Sequence, residues 1–155
     1  MCKNLGKGGE DVIPSVEVTE DSIRVVLKEL CIPVNLKGYE YLVKALLISS
    51  NNPSRSVTCK EIYASVKDEL QLNLSIKSIE TAIREAVSKA TPLVENDTFK
   101  KIFGGGKTII CRGKATPSNT IFIRGVTEYL LVHERRLKYE KIHEQTAKET
   151  ISENS

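Results

Sequence analysis

Residues 57–88, VTCKEIYASVKDELQLNLSIKSIETAIREAVS, carry two helix-start signals separated by one short break. Thr58 with Glu61 three positions later has the form of a capping box, in which each side chain satisfies a backbone amide that the first helical turn leaves unpaired. Cys59, Ile62, Val66 and Leu70 then fall at the spacing of one helix face. After QLNL, Ser75 is placed to cap a second helix whose inner face is Ile76, Ile79, Ile83 and Val87, with Ala82 and Ala86 beside it. Two compact helices joined by a few residues predict a helix-turn-helix.

The flanks follow the same period. Thr19 precedes Glu20 and Asp21, an N-cap followed by acids that favour the positive end of a helix, and Ile23, Val26, Leu27 and Leu30 form its inner stripe until Pro33 forbids continuation. A second helix carries Tyr39, Leu42, Val43, Leu46 and Leu47 on one side and stops in SSNNPSRS. Beyond Pro92, NDTFKKIF predicts a short helix begun by Asp97, GGGK a flexible turn, and TIIC a β-prone run too short to assign. Ser118 opens a long helix with Phe122, Val126, Tyr129, Leu130 and His133 on one face, expected to fray past Tyr139 as apolar residues thin out. The fold class expected is all-α, a compact bundle of five or six helices, organised as an N-terminal arm over 1–18, a helical domain over 19–139 and a polar tail over 140–155.

Several function classes find no support. No apolar run approaches the roughly 18 residues of a membrane span, and the N-terminus lacks the apolar stretch of a secretory signal, so no membrane partner and a cytoplasmic location are expected. Cys2, Cys31, Cys59 and Cys111 are dispersed, with only His133 and His143 as possible companions; they read as reduced and mostly buried thiols, with no metal site. GGGKT at 104–108 resembles the end of a phosphate-binding loop, but the first glycine of that motif would fall on Lys101, and no convincing strand precedes it. No catalytic arrangement is suggested by proximity in sequence, so neither an enzyme nor a cofactor is expected.

Charge points elsewhere. Over 92–138, nine basic groups face four acidic ones, whereas each terminus is acidic. Such an excess suits phosphates or an ordinary solvated surface. On the predicted helix after Ser75, a rotation of 100° per residue puts Thr81 and Glu85 opposite the isoleucines, flanked by Lys77, Ser78, Arg84 and Ser88, with Lys89 at the end. In a helix-turn-helix the second helix enters the major groove, where its early residues reach base edges while basic groups grip phosphates. The same face on an isolated helix would also serve simply as a solvated surface.

The order and spacing of ELCIPVNLKGYEYLVKALLI, SIETAIREAV, IFGG and KATPSNTIFIRGVTEYLLVHER resemble the C-terminal DNA-binding effector domain of the sporulation master regulator, stage 0 sporulation protein A, over about residues 19–138. The resemblance implies a stand-alone DNA-binding transcriptional regulator whose helix over 76–90 reads duplex DNA. Its expected contacts are Lys77, Ser78, Glu80, Thr81, Arg84, Glu85, Ser88 and Lys89. It also implies contact of the Phe99–Gly105 stretch, through Phe99, Phe103 and Gly104, with the sigma factor of RNA polymerase. Self-association on tandem sites would involve Tyr129 and Leu130 of the last helix. Glu80 and Arg84 match the family, but Ser78 and Thr81 stand where the family carries arginines, so a different target sequence is expected. The roughly 18 residues ahead of the effector-like region are too few to fold as a receiver domain, so control by phosphorylation within this chain is not expected. An alternative is a protein-interaction module that modulates a full-length sporulation regulator or sigma factor without reading DNA.

Overall fold

The computed structural model describes residues 17–52, 57–89, 97–103 and 117–153, with side chains through 148. Among them are six helices and no strand: α1 (Glu20–Glu29), α2 (Lys37–Ser50), α3 (Cys59–Glu69), α4 (Ile76–Ser88), α5 (Asp97–Phe103) and α6 (Asn119–Glu153). The chain divides into two units, Val18–Leu130 and the chain outside those bounds. The arm expected over 1–18 falls almost wholly outside the described residues, as do GGGK and TIIC.

Local chemistry sets the helix boundaries of the first unit. The Thr19 hydroxyl accepts from the Ser22 amide at 3.2 Å, and Glu20 and Asp21 occupy the first turn of α1. At the other end, Cys31 takes a left-handed backbone at φ 62°, which lets its N–H donate to the Lys28 carbonyl and the Ile32 N–H to the Leu27 carbonyl. This is a Schellman closure, and Pro33 follows it. The same closure ends α3, with Gln71 at φ 51° and the Leu72 amide donating to the Lys67 carbonyl at 3.0 Å. Both closures put a side chain where glycine is the usual residue.

The predicted stripes form one core in this unit. Leu27, Leu30, Leu42, Leu46, Val66, Ile79, Ile83, Phe99 and Phe122 are all fully buried. Each such side chain stabilises the fold by about 1.5–3 kcal/mol relative to exposure. Leu47, Leu70 and Ile76, expected on inner faces, are only half-buried. Helix α2 lies directly on α4: a Cβ on Gly38 would run into the carbonyl of Ala82, so only glycine permits this approach. Polar ties join further helices. Arg24 of α1 grips Glu40 of α2 with two 2.9 Å bonds, Lys44 of α2 pairs with Glu69 of α3 at 3.5 Å, and the Thr127 hydroxyl of α6 donates to Ser49 of α2 at 3.0 Å.

In the second unit the described residues are Glu17 and the remainder of α6. The expectation of fraying past Tyr139 differs from the structure, in which helix continues to Glu153. Residues 140–148, EKIHEQTAK, are mostly strong helix formers, so propensity sustains the helix where an apolar stripe is missing. Arg136 and Glu140 face each other at 3.9 Å on this segment, and Val132, Leu137, Tyr139 and Ile142 are exposed. The cysteine expectation also needs correction: Cys31 is exposed and Cys59 half-buried, because the first sits at a helix-end turn and the second opens α3. Cys2 and Cys111 lie outside the described residues.

Candidate nucleic-acid interface

Helices α3 and α4 form the predicted helix-turn-helix. Its first helix opens with a complete capping box: the Glu61 amide donates to the Thr58 hydroxyl at 3.2 Å, and the Thr58 amide donates to the Glu61 carboxylate at 2.8 Å. The Gln71 closure ends it. The Ser75 hydroxyl then accepts from the Ser78 amide at 3.1 Å and donates to the Ser78 hydroxyl at 3.0 Å, which starts α4 and holds its first polar side chain close to the cap. Ile79, Ile83, Ala86 and Val87 seat α4 on the core.

The opposite face is open. Lys77, Ser78, Thr81, Arg84, Glu85, Ser88 and Lys89 are all exposed, and Glu80 is half-buried on the flank. One turn of helix on either side of Glu80 brings a cation to its carboxylate: Lys77 at 3.2 Å and Arg84 at 3.4 Å. Both cations are themselves well exposed, and ion pairs at this spacing stabilise a helix by only about 0.2–0.5 kcal/mol each. A phosphate can therefore displace Glu80 from them at little cost. The Ser88 hydroxyl donates to the Glu85 carbonyl at 3.0 Å, so it caps its own helix rather than facing outward unsupported.

Two side chains that the sequence did not single out hold this helix in place. Asn119, the first residue of α6, donates through Nδ2 to the backbone carbonyl of Glu80 at 3.0 Å and to the Tyr63 hydroxyl at 3.1 Å. Burial pushes the Tyr63 phenol up to about 12, a shift that the bond from Asn119 partly opposes, so the hydroxyl stays protonated. Asn119 lies within a segment whose likeness to the effector family was legible, but nothing in the sequence connects it to a carbonyl 39 residues earlier.

The other expected contacts are placed differently. Phe99 is buried and lies against Phe103 with ring centroids 4.7 Å apart and planes tilted by 44°; Phe103 is half-buried, also near Phe122 at 6.0 Å, and packs over Gly125. The Phe99 ring is therefore part of the core of the first unit. Gly104 lies outside the described residues. Leu130 is fully buried with Phe122 and Val126, whereas Tyr129 beside it is half-buried. Among the described residues no group of three His, Cys, Asp or Glu is arranged to hold a metal ion, and no helix is long and apolar enough to cross a membrane.

A protein-family model described as the sporulation initiation factor Spo0A C terminal matches residues 23–130, which is more than half of the chain and takes in all of α3 and α4.

Proposed function

The chain belongs to the family of the sporulation initiation factor Spo0A C terminal, a DNA-binding effector family of sporulation regulators and not an enzyme family, and from that premise we propose that it regulates transcription by placing α4 in the major groove of duplex DNA. The observation that carries this reading is the exposed polar face of α4, backed by an isoleucine seat and supplied with Lys77, Arg84 and Lys89. In this reading the three cations hold phosphates, and Ser78 and Thr81 approach base edges. Glu80, Glu85 and Ser88 border the contact. Glu80 keeps Lys77 and Arg84 near one another until phosphates replace it.

The reading extends to copies bound side by side on tandem sites, with Tyr129 the more accessible of the two expected pairing residues. It takes the chain to act on its own, in the cytoplasm, with the sigma factor of RNA polymerase or a full-length sporulation regulator as its protein partner. A second reading, a module that binds such a regulator without touching DNA, is favoured by the short hydroxyls at Ser78 and Thr81, which offer little to a groove.

Selection of genomic fragments by the purified chain separates the two. Enrichment of a common duplex sequence, with α4 substitutions abolishing it, supports the regulator. Failure to shift any fragment at low salt, together with capture of a full-length regulator, supports the interaction module.

A further inference from the structure

We infer that Asn119 is the positioning residue that fixes the register of α4 for DNA, an inference that rests on the DNA-binding reading above. The apolar seat alone does not fix it: Ile79, Ile83 and Val87 make non-directional contacts, and an apolar stripe tolerates small slides and rotations. A directional bond to the α4 backbone does not tolerate them. The Asn119 Nδ2 lies 3.0 Å from the Glu80 carbonyl, in the middle of α4, on a side chain whose residue is only 8% exposed. A carbonyl can only accept, so the amide of Asn119 must present its nitrogen there. In helical geometry the same carbonyl also accepts from the amide four residues on, and Asn119 uses its second lone pair.

The anchor is itself braced. The Asn119 amide also donates to the Tyr63 hydroxyl, and Tyr63 stands in α3, the partner helix of the motif. Cys59, one turn before Tyr63 in α3, has its sulfur 3.3 Å from the Thr120 hydroxyl of α6. The first two residues of α6 are thus tied to both helices of the motif. The residue held by its backbone is also the one whose carboxylate gathers Lys77 and Arg84. Displacement at Glu80 would shift the proposed phosphate grips together with the base-facing hydroxyls.

Three forms of the full chain test this: unaltered, Asn119→Ala, and Tyr63→Phe, which leaves the bond to Glu80 in place. At a temperature well below unfolding, Asn119→Ala is expected to weaken binding to the best selected duplex by about ten-fold or more, and Tyr63→Phe by less than about three-fold. Amide exchange in DNA-free protein is expected to rise about ten-fold over residues 76–88 in Asn119→Ala, with residues 20–29 unchanged. Should the alanine variant not fold, Asn119→Ser, whose hydroxyl cannot span the gap, carries the same comparison. Equal affinity in all three forms, or exchange that rises equally in both helices, would overturn the inference. A chain that binds no duplex in its unaltered form overturns the DNA reading instead, and the exchange comparison then decides alone whether Asn119 positions α4.

Discussion

Gly38 of α2 lies so close to Ala82 of α4 that a methyl group at position 38 would fall on the Ala82 carbonyl and within 3.1 Å of the Ala86 Cβ. Both sides of this contact are helix backbone, so neither can yield by a rotamer change. Gly38→Ala is expected to destabilise the fold by about 3 kcal/mol, the upper part of the range for forced overpacking. Chemical denaturation would read this as a lower midpoint. An unchanged midpoint would mean that the two helices are farther apart than described.

The ion pair between Arg24 and Glu40 predicts a pH signature. Two hydrogen bonds from Arg24 hold the Glu40 carboxyl below its ordinary value, against a smaller opposing effect of burial, while the Arg24 guanidinium also lies 5.6 Å from the Tyr39 ring centroid. A carboxyl whose folded pKa is depressed contributes stability that is fully present above its unfolded pKa, about 4.3, and is lost as pH falls through the folded value. Both partners are more than a third exposed, so the contribution is at most about 1 kcal/mol. Glu40→Gln should therefore cost up to about 1 kcal/mol at neutral pH, with the difference from the unaltered chain vanishing in the acid range. A difference independent of pH would show that the pair acts by packing rather than charge.

Gln71 predicts a gain. A left-handed backbone costs a residue with a Cβ about 1–2 kcal/mol, and glycine returns about 0.5–1 kcal/mol of that through its greater freedom in the unfolded chain. Gln71→Gly is expected to raise stability by up to about 1 kcal/mol without altering affinity for DNA, since the turn geometry is retained. Thermal unfolding and a binding titration of the same variant check both parts.

Much of this fold is legible in the sequence because its signals are local. Thr19, the Thr58–Glu61 pair, Ser75 and Ser118 each act within a turn, and each cap occurs where the apolar spacing places a helix start. Position within the bundle is not local. Leu130 belongs to a stripe that sequence spacing assigns to a face, but whether that face meets the core or a partner depends on helices far away in the chain. The exposed residues of α4 were legible as the side opposite its isoleucines. The bonds that hold that side in place, from Asn119 to Glu80 and Tyr63, join residues 39 and 56 positions apart and have no sequence signature. Gly38 likewise reads as an ordinary small residue until α4 is seen against it.

Ser78 and Thr81 predict altered sequence preference. An arginine bonded to both acceptors of a guanine discriminates by about 1–3 kcal/mol, and a short hydroxyl by less. The chain is expected to bind the DNA site of the family it resembles poorly, and the double change Ser78→Arg with Thr81→Arg to recover up to about 2–6 kcal/mol of preference if both contacts form and add. Competition between that site and a scrambled duplex measures it. Strong preference in the unaltered chain would refute the argument from the missing arginines.

Contact between the exposed face of α4 and DNA phosphates makes binding depend on salt. Affinity for the best selected duplex should fall linearly on a log–log scale as salt rises, with a slope that loses about 0.9 for each phosphate contact removed. Replacing Lys77, Arg84 and Lys89 together by alanine should therefore make the slope shallower by about 2–3, at unchanged helix content. A slope identical in the two proteins would mean that the phosphates are held by some surface other than α4.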